Sequence, residues 1–174
     1  RNTSGIVAAG KSMAGLQSLS QMFHDRTIGK YYLCLTAGII EKPSRVEGWL
    51  FKDERTNKVE ILFQERPGSA RIITEYRPIK SHDGVTLLEV HLITGKTHQI
   101  RAHLGHPLIG DHKYGASQIN REYEQKYHLQ SQLLHAARLQ FPVCTQTLCN
   151  VSKKEFTAPL PKQFYRIAAE KGVL

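Results

Sequence analysis

Thr94-Gly95-Lys96-Thr97-His98-Gln99-Ile100-Arg101-Ala102-His103-Leu104-Gly105-His106-Pro107-Leu108-Ile109-Gly110-Asp111-His112-Lys113-Tyr114-Gly115 is the stretch that orders the rest of the chain. Polar and titratable side chains crowd it, spaced by glycines. Just upstream, Leu88, Val90 and Leu92 alternate with Leu87, Glu89 and His91, which predicts a strand over residues 85–92. Thr94-Gly95 breaks that strand. Thr97 is placed to cap a short helix over residues 97–104, with Gly105 as its stop. At helical spacing Thr97, Arg101 and Leu104 share one face, and Gln99 and His103 another. A strand, a glycine turn and a short polar helix make a platform for an active site.

Three other readings compete on these residues alone. Gly95-Lys96-Thr97 resembles the end of a phosphate loop, but Val90 stands where that loop needs another glycine. His98, His103, His106, Asp111 and His112 are metal-capable, yet no HExxH or comparable spacing joins them, so no metal is expected. The third is a hydrogen-bonded turn that only holds strands together.

At 174 residues the chain is long enough for one domain with a real core. Lysine and arginine number 24 against 15 aspartates and glutamates, a net charge of +9, which suggests a polyanionic partner such as nucleic acid. A merely basic surface would show the same excess. The three cysteines, Cys34, Cys144 and Cys149, form no CxxC, and an odd count argues for a reducing, cytoplasmic interior. No run approaches membrane-helix length, so no membrane partner is expected. No protein partner is signalled.

Residues 3–9 read as a short apolar strand. Ser12 can cap a helix to about Arg26, with Met13, Leu16, Leu19, Met22 and Phe23 facing inward. Residues 32–36 read as a strand and residues 37–57 as a looser segment with Gly38, Pro43 and Gly48. Residues 59–64, 70–76 and 85–93 read as three strands joined by short turns, which argues for antiparallel pairing. A polar, mostly exposed helix is predicted over residues 120–128. Strands follow over 133–141 and 155–158, and Pro161 opens a closing helix through Glu170 with Phe164, Ile167 and Ala168 on its apolar side. The class is a mixed α+β domain.

The residues 94–103, then Gly105-His106-Pro107-Leu108-Ile109-Gly110-Asp111 and Tyr114-Gly115, resemble the signature of RluA-type pseudouridine synthases. Thr3-Ser4-Gly5 is similar to the end of the family's H-R-L-D-x-x-T-S-G motif. Gly29-Lys30-Tyr31-Tyr32-Leu33-Cys34-Leu35 is similar to its K-x-Y-x-x-L segment. Lys52-Asp53-Glu54 with Asn57-Lys58-Val59 resembles its "KD…NKV" hairpin, and Leu134-His135-Ala136-Ala137-Arg138-Leu139 its late "LHARxL" strand. Between His103 and Gly105 the chain is shorter than the family pattern, so a loop there is trimmed.

The resemblance implies the pseudouridine synthase fold, a mixed, largely antiparallel sheet flanked by helices. It also implies isomerisation of uridine to pseudouridine in RNA, ribosomal RNA first and tRNA second, with no cofactor. The family's nucleophilic aspartate would fall immediately before Arg1. Residues 1–174 are therefore expected to be a catalytic domain lacking its N-terminal part, inert as it stands. A non-catalytic RNA-binding module is the alternative.

That reaction needs a carboxylate kept ionised in a dry pocket, hence a fixed cation. Arg101 sits at the family's carboxylate-pairing arginine, and a guanidinium stays charged when buried. Tyr32 is the expected wall on which the freed base stacks, with Tyr31 on the opposite strand face. Ile100 would form an apolar floor. Lys96, His98 and Gln99 could touch phosphate or ribose, Arg1 would lie near RNA, and Thr3, Ser4 and Gly5 would shape the turn beside the nucleophile.

Overall fold

The computed structural model describes residues 2–56 and 58–174. Arg1 and Asn57, both part of the sequence reading, lie outside the described residues. The frame is one eight-stranded sheet built from β1 (Ser4–Gly5), β2 (Gly29–Ala37), β3 (Ser44–Asp53), β4 (Lys58–Leu62), β5 (Ala70–His82), β6 (Val85–Leu92), β7 (Leu134–Gln140) and β8 (Glu155–Thr157). The order is β1-β7-β2-β6-β5-β3-β4, and β8 also pairs with β7. The β1–β7 pair is parallel and the rest are antiparallel. Among the described residues four α-helices accompany the sheet: α1 (Met13–His24), α2 (Gln99–His103), α3 (Ser117–Tyr127) and α4 (Lys162–Glu170). This is the α+β class expected.

The strands alternate as a two-sided sheet requires. One face of β2 and β6, carrying Leu35, Val85 and Leu87, packs on Tyr123 and Tyr127 of α3 and on Phe164, Ile167 and Ala168 of α4. The other face, carrying Cys34, Leu88, Val90 and Leu92, packs on Ile100 and Leu104 from α2 and the residue after it. The predicted inner face of α4 is thus buried in full. Helix α3 buries Asn120, Tyr123 and Tyr127, so it is less solvent-facing than its composition suggests.

Several expectations are corrected. The segment read as loose contains β3, a strand paired on both sides. Its Gly48 looked like a breaker, but a Cβ there would crowd Leu62 O at 3.2 Å and His103 Nε2 at 3.4 Å, so glycine permits close packing. With β3 between them, β4 and β5 do not pair. Of residues 3–9 only Ser4–Gly5 form a strand, and Val7 is 90% exposed. Ser12 does cap α1, its Oγ accepting from Gly15 N at 3.1 Å. However, Met13 and Leu16 are exposed, and the helix touches the sheet through Leu19, Met22 and Phe23. Helix α2 begins at Gln99, and His98 rather than Thr97 is its N-cap residue.

Two positive-φ glycines differ in their surroundings. Gly110 has φ +81 and a Cβ there would lie 2.4 Å from Ser131 O; Gly84 has φ +70 with nothing within 4 Å. Gly110→Ala is expected to cost about 3 kcal/mol and Gly84→Ala about 1 kcal/mol, read as shifts in the denaturation midpoint. Equal losses would refute the steric argument.

Candidate active site

The turn after β6 is held by one buried amide. Gln99 accepts at Oε1 from Thr94 Oγ1 (2.9 Å) and Lys96 N (3.1 Å), and its Nε2 donates to Ile73 O (3.1 Å) and Thr74 Oγ1 (3.0 Å). Both ends of the side chain are committed and it is 1% exposed. This corrects its reading as a phosphate or ribose contact: Gln99 shapes the turn. His103 is also buried, its Nδ1 3.0 Å from Thr74 Oγ1.

The turn delivers Arg101 to the Asp111 loop. Arg101 Nε donates to Asp111 Oδ2 at 2.7 Å and Nη2 to Oδ1 at 2.6 Å, a side-on bidentate pair. The Asp111 side chain is 0% exposed and that of Arg101 15%. Asp111 Oδ1 also accepts from the backbone N–H of Lys113 and Tyr114. Burial works to raise the Asp111 pKa, but the guanidinium and these N–H groups outweigh it and hold the carboxyl below its ordinary value. The hydrogen bonds to Asp111 push Arg101 the other way, deeper into its charged range. The partner foreseen for Arg101 lay before Arg1; the partner in the fold is Asp111. Arg101 Nη1 and the second Nη2 hydrogen are uncommitted among the described residues.

A cleft of about 460 Å³ opens beside that guanidinium. Tyr32 from β2, Leu92 from β6, the turn 96–101, Gln132, Leu134 and the chain's Asn2 and Thr3 line it. Tyr32 and Arg101 therefore face one cavity, with the first described residues at its rim. Burial raises the Tyr32 pKa, so the phenol is held as a neutral O–H. Tyr31 lies on the opposite sheet face, stacked on the His91 ring at 4.4 Å beneath the Arg138 guanidinium at 3.7 Å. Ile100 is 5% exposed and belongs to the core that floors the cleft. Lys96 is exposed at the rim and His98 is half-buried in the wall. A smaller hollow of about 350 Å³ shares Asn2, Arg101 and Gln132 and adds Lys58, His112 and Lys113.

Of the three residues expected beside the nucleophile, only Thr3 lines the cleft. Ser4 Oγ bonds His135 Nδ1 at 2.9 Å, and Gly5, at φ +106, lies against Ala136, where a Cβ would sit 2.1 Å from the carbonyl oxygen. These two contacts tie the turn that Ser4 and Gly5 were expected to shape to β7. His98 and His103 of the central stretch bond Tyr114 and Thr74 respectively, and among the described residues no three His, Cys, Asp or Glu side chains gather as a metal site. No helix among them is long and apolar enough to cross a membrane.

The model of the RNA pseudouridylate synthase family matches residues 1–106. The chain belongs to that family. Ribosomal large subunit pseudouridine synthase C of Vibrio vulnificus is 31% identical over 173 residues, spanning 96% of this chain and 51% of that protein. An uncharacterized RNA pseudouridine synthase of Helicobacter pylori is 32% identical over 149 residues, spanning 80% and 50%. The chain thus spans about half the length of the curated relatives it matches. The solved structure of human RNA Pseudouridylate Synthase Domain Containing 4 superposes with a TM-score of 0.73 at 20% identity, over 92% of this chain and 69% of that one, and shares the fold.

Gln132 and Leu134 line the cleft without a local sequence signal for that role, and nothing local marked Asp111 as the partner of Arg101 behind it. Asp111 was visible only as part of a titratable, glycine-rich run. Arg101→Ala leaves a buried carboxylate without its cation and is expected to cost about 3 kcal/mol in urea denaturation at pH 7. The Asp111 pKa is depressed in the folded state, so its contribution is present above the unfolded value near ~4 and is lost as pH falls through the folded value. Asp111→Asn should lower stability at pH 7 and weaken its fall on acidification below about pH 4. An unchanged acid limb would show that the pair contributes nothing.

Proposed function

We propose that this chain carries the uridine-binding and isomerising cleft of an RNA pseudouridine synthase acting on large-subunit ribosomal RNA. One observation carries the reading: a neutral phenol and a charge-locked guanidinium line the same cavity, beside the start of the chain, in a member of this family. The printed names of several relatives supply the ribosomal target, and tRNA is the second reading.

The reaction breaks the N1–C1′ bond, turns the uracil and joins C5 to C1′. The C5 proton leaves and N1 gains one, so composition is unchanged and no cofactor is needed. The flipped base stacks on Tyr32, and base–aromatic stacking contributes roughly 1–3 kcal/mol, comparable with what unstacking costs. Leu92, Ile100 and Leu134 supply an apolar floor against water. The open edge of Arg101 holds an anion at the sugar side. The reading assigns that anion to an aspartate immediately before Arg1 in the full-length gene product. Lys58, Lys96 and Lys113 then meet the phosphate backbone, which supports a cytoplasmic enzyme working on RNA.

Two measurements test this. The full-length product, incubated with ribosomal RNA, is expected to yield pseudouridine, whereas the chain from Arg1 to Leu174 should bind RNA without turnover. No product from the folded, full-length protein would end the enzyme reading in favour of a binding module. In the same protein Arg101→Lys keeps a charge but loses the fork, and turnover should fall by about 10²-fold or more with RNA affinity little changed.

A further inference from the structure

His98 holds a backbone conformation that few residues with a side chain adopt. Its φ of +58 and ψ of 15 are left-handed, a region that favours glycine and that, among other residues, asparagine, aspartate and histidine enter most readily. Strain of this kind persists where surroundings enforce it and gathers at ligand sites. The side chain shows what enforces it. His98 Nδ1 is 3.0 Å from Tyr114 Oη, and the two rings meet edge to face at 5.4 Å.

The same phenol oxygen already accepts a hydrogen bond, from the backbone N–H of Val59 at 3.0 Å. Val59 lies in β4, the edge strand of the sheet, so this bond caps an otherwise open strand edge. Tyr114 still has its proton to give, and His98 Nδ1 lies within reach as an acceptor. A ring that accepts at Nδ1 and is neutral carries its proton on Nε2. Burial, then the nearby Arg101 and Lys113 cations, push the His98 pKa down against a smaller pull from Asp111, which keeps the ring neutral at pH 7. Nε2 has no partner among the described residues, and His98 lines the cleft with Tyr32 and Arg101.

We propose that His98 presents a neutral Nε2–H donor to an acceptor oxygen of the RNA in the cleft, and that Tyr114 fixes that tautomer. The proposal rests on the RNA reading above. The oxygen is a uracil carbonyl or a phosphate oxygen; the shared chemistry is an acceptor within reach of a directed, uncharged donor. Arg101 and Lys96 answer the charge of the RNA, whereas His98 answers its geometry. Tyr114 is a positioning residue, acting through His98.

The test uses the chain with 15N-labelled histidine and a uridine-containing single-stranded oligoribonucleotide. Long-range 15N–1H correlation is expected to show His98 as the Nε2–H tautomer at pH 7, and as a tautomer mixture in Tyr114→Phe. An Nδ1–H tautomer in the wild type overturns the wiring. In titrations followed by fluorescence anisotropy, His98→Ala should weaken binding about 10-fold, and His98→Gln, which keeps an N–H at similar reach, should recover most of it. His98→Gly separates binding from structure: with the backbone relaxed, its melting temperature should hold or rise while affinity falls. Wild-type affinity in both His98→Ala and His98→Gly overturns the ligand role. Replacing the target uridine by 2-thiouridine or 4-thiouridine, or its flanking linkages by methylphosphonate, identifies which oxygen is met, and sensitivity to none of them overturns the ligand role as well. A wild-type chain that binds no RNA at all overturns the proposed function, while the tautomer measurement still decides the wiring.

Discussion

The Arg101–Asp111 pair is the constraint on which the cleft depends. A fully buried carboxylate is costly unless paired, and the desolvation of each ion amounts to several kcal/mol. Two unit charges about 4 Å apart attract by roughly 4 kcal/mol at an effective dielectric near 20, so the pair holds only with its supporting hydrogen bonds. Those come from the loop itself, through the N–H groups of Lys113 and Tyr114. Asn120 of α3 clamps the same loop from behind: its Oδ1 accepts from Gly110 N and its Nδ2 donates to Asp111 O, both at 2.8 Å. The pair is held in place by groups on separate segments, and Arg101 lines the cavity.

The sheet divides the labour of its residues by parity. Tyr32 and Cys34 look toward α2 and the cleft; Tyr31, Leu33 and Leu35 look the other way. On that second face Arg138, Tyr31, His91, Glu75 and Arg45 form a row across four strand pairings, held by a ring stack and ion pairs. Each arginine of the row is met by acid: Arg45 by Glu75, and Arg138 by Glu89 and Glu155 beside it. Around the two hollows, by contrast, Lys58, Lys96, Arg101, His112 and Lys113 gather with Asp111 as the inward-turned acid. The molecule's positive excess is therefore most useful where a polyanion would have to approach.

Much of this was legible in the linear chain because it depends on local rules. Alternation along residues 85–92, the Ser12 cap and the apolar stripe of Phe164, Ile167 and Ala168 concern neighbours a few residues apart. The expectations that failed concern distant partners. β3 was hidden because Gly48 reads as a break until His103 and Ile61 are seen to fill the space. Gln99 reads as a polar surface residue until Ile73 and Thr74 arrive from β5 to bind it.

The amino-acid order alone settled the α+β class, most of the strands and the two residues, Tyr32 and Arg101, that meet in the cleft. It did so because period, turn chemistry and motif are written within short windows. Only the tertiary structure decided that Arg101 is tied to Asp111, that Gln99 serves the turn and that Tyr114 sits on His98. Each of those choices is a competition among hydrogen-bond partners brought together by packing from separate segments, and no short window records its outcome.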